Sequence, residues 1–215
     1  MKYMSAILAL VAPMVASAAV AAGAPAEPKL GRIAAECTVE QDHGNVAALL
    51  RTLPGSPEES RAARKLAEIF AACGAELNIS AYSQGLYNGR ADLAAAAAAH
   101  ALGRQAPSFP AAPLAPWYKS AIAGRSPGSG YDPVSLGMQE FGTCVVGAAG
   151  DASARLVRSS AGSAEERDAI GAIKPVLAGC VVQGQPIHMT PDQLRLMVAE
   201  PLYHVIVGGR TAGRS

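Results

Sequence analysis

Apolar residues recur with helical spacing in two separate stretches of the chain. They are Leu66, Ile69, Phe70 and Cys73 in the first stretch, and Ile173, Val176, Leu177 and Cys180 in the second. A spacing of three and four residues indicates a helix with one buried face. Each stretch therefore predicts an amphipathic helix that carries a cysteine on its core side.

Both helices are preceded by a start signal. Ser56, Pro57 and Glu59 supply an N-cap, a proline for the first helical position and an acid three residues after the cap, and Ser163 and Glu166 repeat the cap and the acid. A helix is expected to begin at each signal. The acidic pairs Glu58/Glu59 and Glu165/Glu166 could also act as general acid and base, but capping beside the positive helix end explains them better.

Further helices are predicted on either side of these two. A shorter one precedes each, capped by Asn45 in the first stretch and by Asp151 in the second. A third follows each, from the alanine run 94–99 and from the capping box of Thr190, Pro191 and Gln193. Short extended segments are expected between the second and third helices, near 77–81 and 186–189. Pro175 should kink or shorten its helix.

The four cysteines define a repeat. Cys37 to Cys73 and Cys144 to Cys180 have the same separation of 36 positions, so the two segments align without a gap. Twelve of the 37 aligned positions match, including a Gly-Ser-x-Glu-Glu block, whereas about three would match by chance in so alanine-rich a chain. Four cysteines allow three pairings. A self-contained ancestral unit favours Cys37 with Cys73 and Cys144 with Cys180.

The expected fold is mainly α, with short β segments, in two tandem disulfide-closed helical repeat units. The boundaries expected from composition are a signal peptide at 1–22, unit 1 at 23–102, a Pro/Gly/Ala-rich linker at 103–133, unit 2 at 134–207 and a disordered tail at 208–215. Trp117 and Tyr118 lie in that linker. Beside them, Pro110, Pro113 and Pro116 could form a docking segment or a semi-rigid spacer with the aromatic side chains packed onto one unit.

The N-terminus has the features of a secretory signal. Lys2 is followed by an apolar stretch at 5–20, and cleavage after Ala18 or Ala22 fits the small-residue rule. An uncleaved membrane anchor is the alternative. A periplasmic or secreted location is therefore expected, with no membrane span in the mature chain. The net charge of +1 and the lack of a long basic or acidic run argue against nucleic acid as a partner. The aromatic content of 5% argues against a large aromatic binding surface.

The chain resembles a family of small exported proteins of sphingomonad-type alphaproteobacteria. The resemblance rests on Glu-Cys-x-Val at 36–39, Leu-Leu-Arg-Thr-Leu-Pro-Gly-Ser at 49–56, the cysteine at 73 and Leu-Met-Val-Ala-Glu-Pro-Leu-Tyr at 196–203. It implies an exported location and a tandem cysteine-bounded architecture, and it implies no activity. The first unit departs from the pattern, because the run 94–99 replaces the Ala-Glu-x-Leu-Tyr ending.

Few residues suggest catalysis. Ser126 lies in a G-x-S-x-G sequence at 124–128, but the Pro/Gly-rich surroundings fit a linker better than a nucleophile turn. The four histidines, His43, His100, His188 and His204, have no metal-ligand spacing, so no metal or other cofactor is predicted. His100 and His204 are interpreted as charges near helix C-termini. The cysteines are interpreted as structural, because C-x-x-C spacing is absent.

The sequence favours a non-enzymatic exported binding or scaffolding protein of the cell envelope, with an unknown protein or small-molecule partner. The alternative is a small secreted hydrolase that uses a serine or histidine, such as Ser126 or His204, in a cleft between the repeats.

Overall fold

The computed structural model describes residues 30–76, 89–104, 107, 109, 114–124, 130–181 and 189–212, and these residues are mainly helical with no β-strand among them. The helices are α1 (Leu30–Leu50), α2 (Pro57–Ala72), α3 (Gly89–Arg104), α4 (Lys119–Ile122), α5 (Pro133–Arg158), α6 (Ala164–Leu177) and α7 (Pro191–Ala212). We call residues 30–104 the first half and residues 133–212 the second half.

The helices of each half pack against one another. In the first half α1 packs against α2 and α3, and in the second half α5 packs against α6 and α7. Helices α3 and α7 also pack against each other, so the two halves share one continuous hydrophobic core. A small second cluster of Leu53, Tyr118 and Leu136 lies beside this core.

The buried face of α3 is built almost entirely from alanine. Ala94 and Ala98 are fully buried, and Leu93 is the largest apolar side chain among its fully buried residues. Small side chains let neighbouring helix backbones approach closely, and alanine has the highest helix propensity. The alanine run that predicted a third helix thus forms the centre of the contact between the halves.

A second close approach joins α5 to α7. A Cβ atom at Gly142 would overlap the carbonyl oxygen of Met197 and would also touch the Pro201 ring. Pro201 has no N–H, so the carbonyl four residues earlier, that of Met197, receives no helical hydrogen bond from it. The Cα of Gly142 lies against this carbonyl, and only glycine leaves room for it.

The predicted helix starts are confirmed, with two changes to the caps. The backbone N–H groups of Glu59, Glu166 and Gln193 donate to the hydroxyls of Ser56, Ser163 and Thr190. The caps assigned to Asn45 and Asp151 are wrong, because each expected short helix is the second part of a longer kinked helix. The kinks lie at Asp42 (φ −147°) and Ala149 (φ −143°). Asp42 accepts from the Asn45 N–H and is the cap of the second part.

Of the expected extended segments, residues 77–81 and 186–188 lie outside the described part of the chain, and Met189 is not in a strand. The expected signal peptide at 1–22 also lies outside the described part. Helix α6 ends two residues after Pro175, at Leu177, and continues as a short 3-10 turn. None of the described helices is long and apolar enough to cross a membrane.

The described parts of the predicted linker pack on α5. Phe109 lies against Gly150, and Leu114 lies against Gly147. The hydroxyl of Tyr118 donates to the Leu136 carbonyl over 3.0 Å. Tyr118 also shares a cluster with Leu53 of the first half, so this residue contacts both halves rather than one unit.

Candidate functional site

The two disulfides join the predicted cysteines. Cys37 pairs with Cys73 and Cys144 pairs with Cys180, with Cα–Cα distances of 5.8 and 5.6 Å. Each bond ties the first part of a kinked helix, α1 or α5, to the C-terminal end of the next helix. No cysteine is free, which agrees with a structural role.

Arg90, at the start of α3, is the most buried charged side chain of the first half, with 1% of its surface exposed. Its Nε donates to both carboxylate oxygens of Glu200 at 3.1 Å, and its Nη2 donates to Oε1 of Glu200 at 2.5 Å. Its Nη1 donates to Glu59 over 2.8 Å. The backbone carbonyls of Leu49 and Thr52 accept the remaining N–H groups. A buried charge is tolerated only with such pairing.

Glu59 has two roles that follow from its position in the third residue of α2. One carboxylate oxygen accepts the Gly55 N–H at 2.6 Å, and the other accepts from Arg90. Gly55 has φ = 78°, a left-handed conformation that favours glycine. The sequence predicted the capping role, which is confirmed. It did not predict that the same carboxylate reaches a buried arginine.

Arg195 has a comparable environment in the second half. Its Nη2 donates to Glu166 over 2.6 Å, and its Nε donates to the Leu156 carbonyl over 3.0 Å. The carbonyl and hydroxyl oxygens of Ser159 both accept from Nη2 at 3.3 Å. Glu166 in turn accepts the Gly162 N–H over 2.6 Å. Arg195 therefore anchors α7 to the end of α5 and the start of α6.

The acceptors of the two arginines lie at corresponding places in the sequence. Arg90 uses Leu49, Thr52 and Glu59. Arg195 uses Leu156, Ser159 and Glu166. Each residue of the second set follows its counterpart by 107 positions, which is also the offset between the two cysteine pairs. The arginines differ in their other carboxylate partner: Arg90 also binds Glu200 of the other half, whereas Nη1 of Arg195 lies 3.6 Å from Asp192 of its own helix.

That carboxylate, Glu200 of α7, is the centre of a polar cluster between the halves. Nε2 of Gln139 donates to Oε2 of Glu200 over 2.7 Å, and the indole N–H of Trp117 donates to Gln139 over 3.4 Å. His204 places Nε2 3.8 Å from Oε1 of Glu200, and its ring stacks on Trp117 with centroids 4.2 Å apart. We call Glu59, Arg90, Trp117, Gln139, Glu200 and His204 the Glu200 cluster.

The pKa values of the two carboxylates of the cluster are shifted in opposite directions. Burial raises the pKa of Glu200, but Arg90 and His204 outweigh burial and lower the pKa to about 2. Burial raises the pKa of Glu59, and Arg90 only partly opposes it. Burial also opposes the charge of Arg90, yet the two carboxylates raise its pKa above the ordinary value. Glu200 and Arg90 therefore form a charged pair across the neutral pH range.

The prediction that His100 and His204 lie near helix C-termini is wrong for His204. His204 does not lie near a helix C-terminus, because α7 continues to Ala212, and its ring contacts the Glu200 cluster instead. His100 lies in the last part of α3 and stacks on His43 of α1 with centroids 6.4 Å apart. Ser126 and His188 lie outside the described residues. In the described part of the chain, no three His, Cys, Asp or Glu side chains are placed so that they could hold a metal ion.

A groove of about 590 Å³ lies between α6 and the start of α7. Its lining is mainly apolar, and Lys174 contributes a positive charge. The other lining residues are Ile170, Leu177, Ala178, Val181, Met189, Thr190, Pro191 and Leu194. The sequence did not predict this groove, because its walls come from two helices separated by residues 182–188.

Comparison with known proteins gives no match: no protein-family model, curated protein or solved structure is significantly similar to this chain.

Proposed function

We propose that the protein is an exported, non-catalytic binding or scaffolding module of the cell envelope, built from two diverged copies of one disulfide-closed helical unit. The observation that carries the proposal is the shared environment of Arg90 and Arg195, whose acceptors differ by a constant offset. Duplication explains why the two disulfides, the two capping boxes and the acceptors of the two buried arginines follow one spacing.

The buried carboxylates support a structural rather than a catalytic role. Glu59 and Glu166 each bind a backbone N–H with one oxygen and an arginine with the other. Glu200 binds Arg90 and Gln139. Groups held in this way stabilise the fold and are poorly placed to transfer protons to a substrate. Export is supported by the signal-like residues 1–22 and by the disulfides, which persist in oxidising compartments.

The groove between α6 and α7 is the binding surface in this proposal. Its volume of about 590 Å³ falls within the usual range for small-molecule sites, and its walls are mainly apolar. Lys174 supplies the one charge among its lining residues. The ligand that fits these features is a small apolar molecule with an anionic group, which Lys174 would pair.

Calorimetric titration with laurate tests this binding role, with dodecanol as the uncharged comparison. Laurate should bind at least tenfold more tightly than dodecanol, and Lys174→Gln should remove that preference. Lys65→Gln is the matched control, because Lys65 is an exposed lysine on α2, the corresponding helix of the first half. Equal binding of both probes, or no effect of Lys174→Gln, would contradict the groove assignment.

The non-catalytic part of the proposal is tested separately. The purified protein should show no turnover on a panel of ester, peptide, glycan and phosphate substrates. Robust turnover that Ser126→Ala or His204→Ala abolishes would establish the hydrolase alternative instead.

A further inference from the structure

His204 has a polar atom that the fold buries without satisfying. Its side chain is 16% exposed, and its Nε2 is fully buried with no hydrogen-bond partner among the described residues. The nearest charged atom is Oε1 of Glu200, 3.8 Å away, which is beyond hydrogen-bond distance but within ion-pair distance. When the ring is protonated, both ring nitrogens carry N–H groups and the imidazolium has a full charge opposite this carboxylate.

The charges around His204 come from several elements. Helix α7 contributes Glu200, which Arg90 of α3 and Gln139 of α5 bind, and α2 contributes Glu59, which also binds Arg90. The charge of Glu140, on α5, acts on Tyr118, the neighbour of Trp117. Within the Glu200 cluster, two carboxylates oppose one guanidinium. A proton on His204 would therefore bring this buried cluster to neutrality.

Trp117 stacks on the imidazole ring of His204, with the ring centroids 4.2 Å apart. Its ring lies nearly parallel to the imidazole, with an interplanar angle of 19°. A cation over an aromatic face is attracted to it, most strongly to tryptophan. Trp117 belongs to the segment 114–124, which precedes α5 and packs on it.

We propose that His204 is an acid-responsive latch: its protonation adds an ion pair to Glu200 and a cation–π contact to Trp117, and so tightens the hold of α7 on the segment 114–124. Histidine is the side chain that ordinarily changes charge between pH 5 and 8. An envelope protein exposed to the external pH would experience such changes. The latch is independent of the ligand proposed for the groove between α6 and α7.

Tryptophan fluorescence tests the latch directly, because Trp117 is the sole tryptophan of the chain. Between pH 8 and pH 5 we expect one transition in emission, accompanied by at least a twofold fall in the acrylamide quenching constant. His204→Gln should remove both changes. His100→Gln is the matched control, since His100 is exposed and stacks on His43 rather than on Trp117, and should retain them.

Proton NMR of the wild-type protein gives a second readout that does not depend on a variant folding. The ring signals of His204 and the indole N–H signal of Trp117 should shift together over the same pH range. The latch is overturned if the fluorescence transition persists in a folded His204→Gln variant, if quenching rises at acid pH, or if the His204 ring signals do not move.

Discussion

Arg90 and Glu200 form a buried ion pair between residues 110 positions apart, with 1% and 3% of their side chains exposed. Arg90 belongs to the first half and Glu200 to the second, so this pair fixes how α3 lies against α7. The surrounding contact is mostly alanine, which packs closely but without a preferred register. A directional pair of charges with several hydrogen bonds can supply that register.

Replacing Arg90 by methionine should destabilise the protein strongly. Methionine fills a similar volume but leaves Glu59 and Glu200 buried without their cation, and breaking such a pair from one side costs about 3–5 kcal/mol. Urea unfolding at pH 7 measures the change. The control is Arg61→Met, because Arg61 pairs with Glu58 on the surface, where both side chains are more than half exposed, and such a pair contributes about 1 kcal/mol or less. Equal losses in the two variants would contradict the role assigned to Arg90.

Acid should weaken the same pair. The pKa of Glu200 is lowered from 4.5 to about 2 in the folded protein, so its contribution is fully present above pH 4.5 and is lost as the pH falls towards 2. The shift corresponds to roughly 3 kcal/mol, more than half of which should be lost by pH 3. The raised pKa of Glu59 acts in the opposite direction and offsets part of this loss.

Urea unfolding of the wild type and Glu200→Gln at several pH values measures that contribution. The difference in free energy of unfolding should be largest above pH 4.5 and should shrink between pH 4.5 and pH 2. A difference that stays constant over this range would show that the charge of Glu200 is not involved.

The parts of the fold that depend on neighbouring residues could be predicted from the sequence. Ser56 and Glu59 are three positions apart, so the capping interaction is visible in the sequence itself. The cysteine pairing followed from an equal separation in both halves. Arg90 was missed because its partner Glu200 lies in a different helix, and no local pattern marks an isolated arginine as buried.

Arg90 and Arg195 also correspond to each other, but their separation in the sequence differs from that of the cysteines. Arg90 and Arg195 are 105 positions apart, whereas the cysteines and the carboxylates Glu59 and Glu166 are offset by 107. A difference of two residues between the second and third helices hides the match in a gapless overlay that ends at Cys180. The kinks escaped prediction for another reason: Asp42 and Ala149 share a backbone conformation but have chemically different side chains.

Removing either disulfide should cost a similar amount of stability. Both bonds join residues 36 positions apart, and closing a loop of that size is worth about 4 kcal/mol in the chain-entropy model. The double variants Cys37→Ser/Cys73→Ser and Cys144→Ser/Cys180→Ser should therefore unfold at similarly reduced urea concentrations. Peptide mapping without reduction checks the pairing first, and a bond from one half to the other would refute it.

Gly142→Ala should disrupt the contact between α5 and α7. The added methyl group would overlap the Met197 carbonyl, which belongs to a helix backbone and cannot simply rotate away. Overpacking of this kind costs about 1–3 kcal/mol. Gly137→Ala is the control on the same helix, because its Cβ would meet nothing within 4 Å, and alanine should stabilise α5 there by about 0.5–1 kcal/mol. Thermal unfolding distinguishes the two, and a loss of stability in both variants would point to helix distortion rather than to this contact.

The kink of α5 can be strengthened by copying the cap that α1 has. Asp42 accepts hydrogen bonds from the backbone and side chain of Asn45, and the backbone hydrogen bond lowers its pKa. Asp42→Ala should cost about 1 kcal/mol. Ala149 has nearly the same φ but no acceptor, so Ala149→Asp should gain about 0.5–1 kcal/mol by capping the second part of α5.

Thermal unfolding measures the stability of Asp42→Ala, of Ala149→Asp and of a control variant, Ala148→Asp. Ala148 is exposed and lies one residue before the kink, where an acid has no free N–H groups to accept from. Aspartate there should leave stability unchanged or slightly reduced. Equal stability of Ala149→Asp and Ala148→Asp would contradict the prediction. It would show that the kink at Ala149 has the same backbone angle as the kink at Asp42 but lacks the free N–H groups that a cap needs.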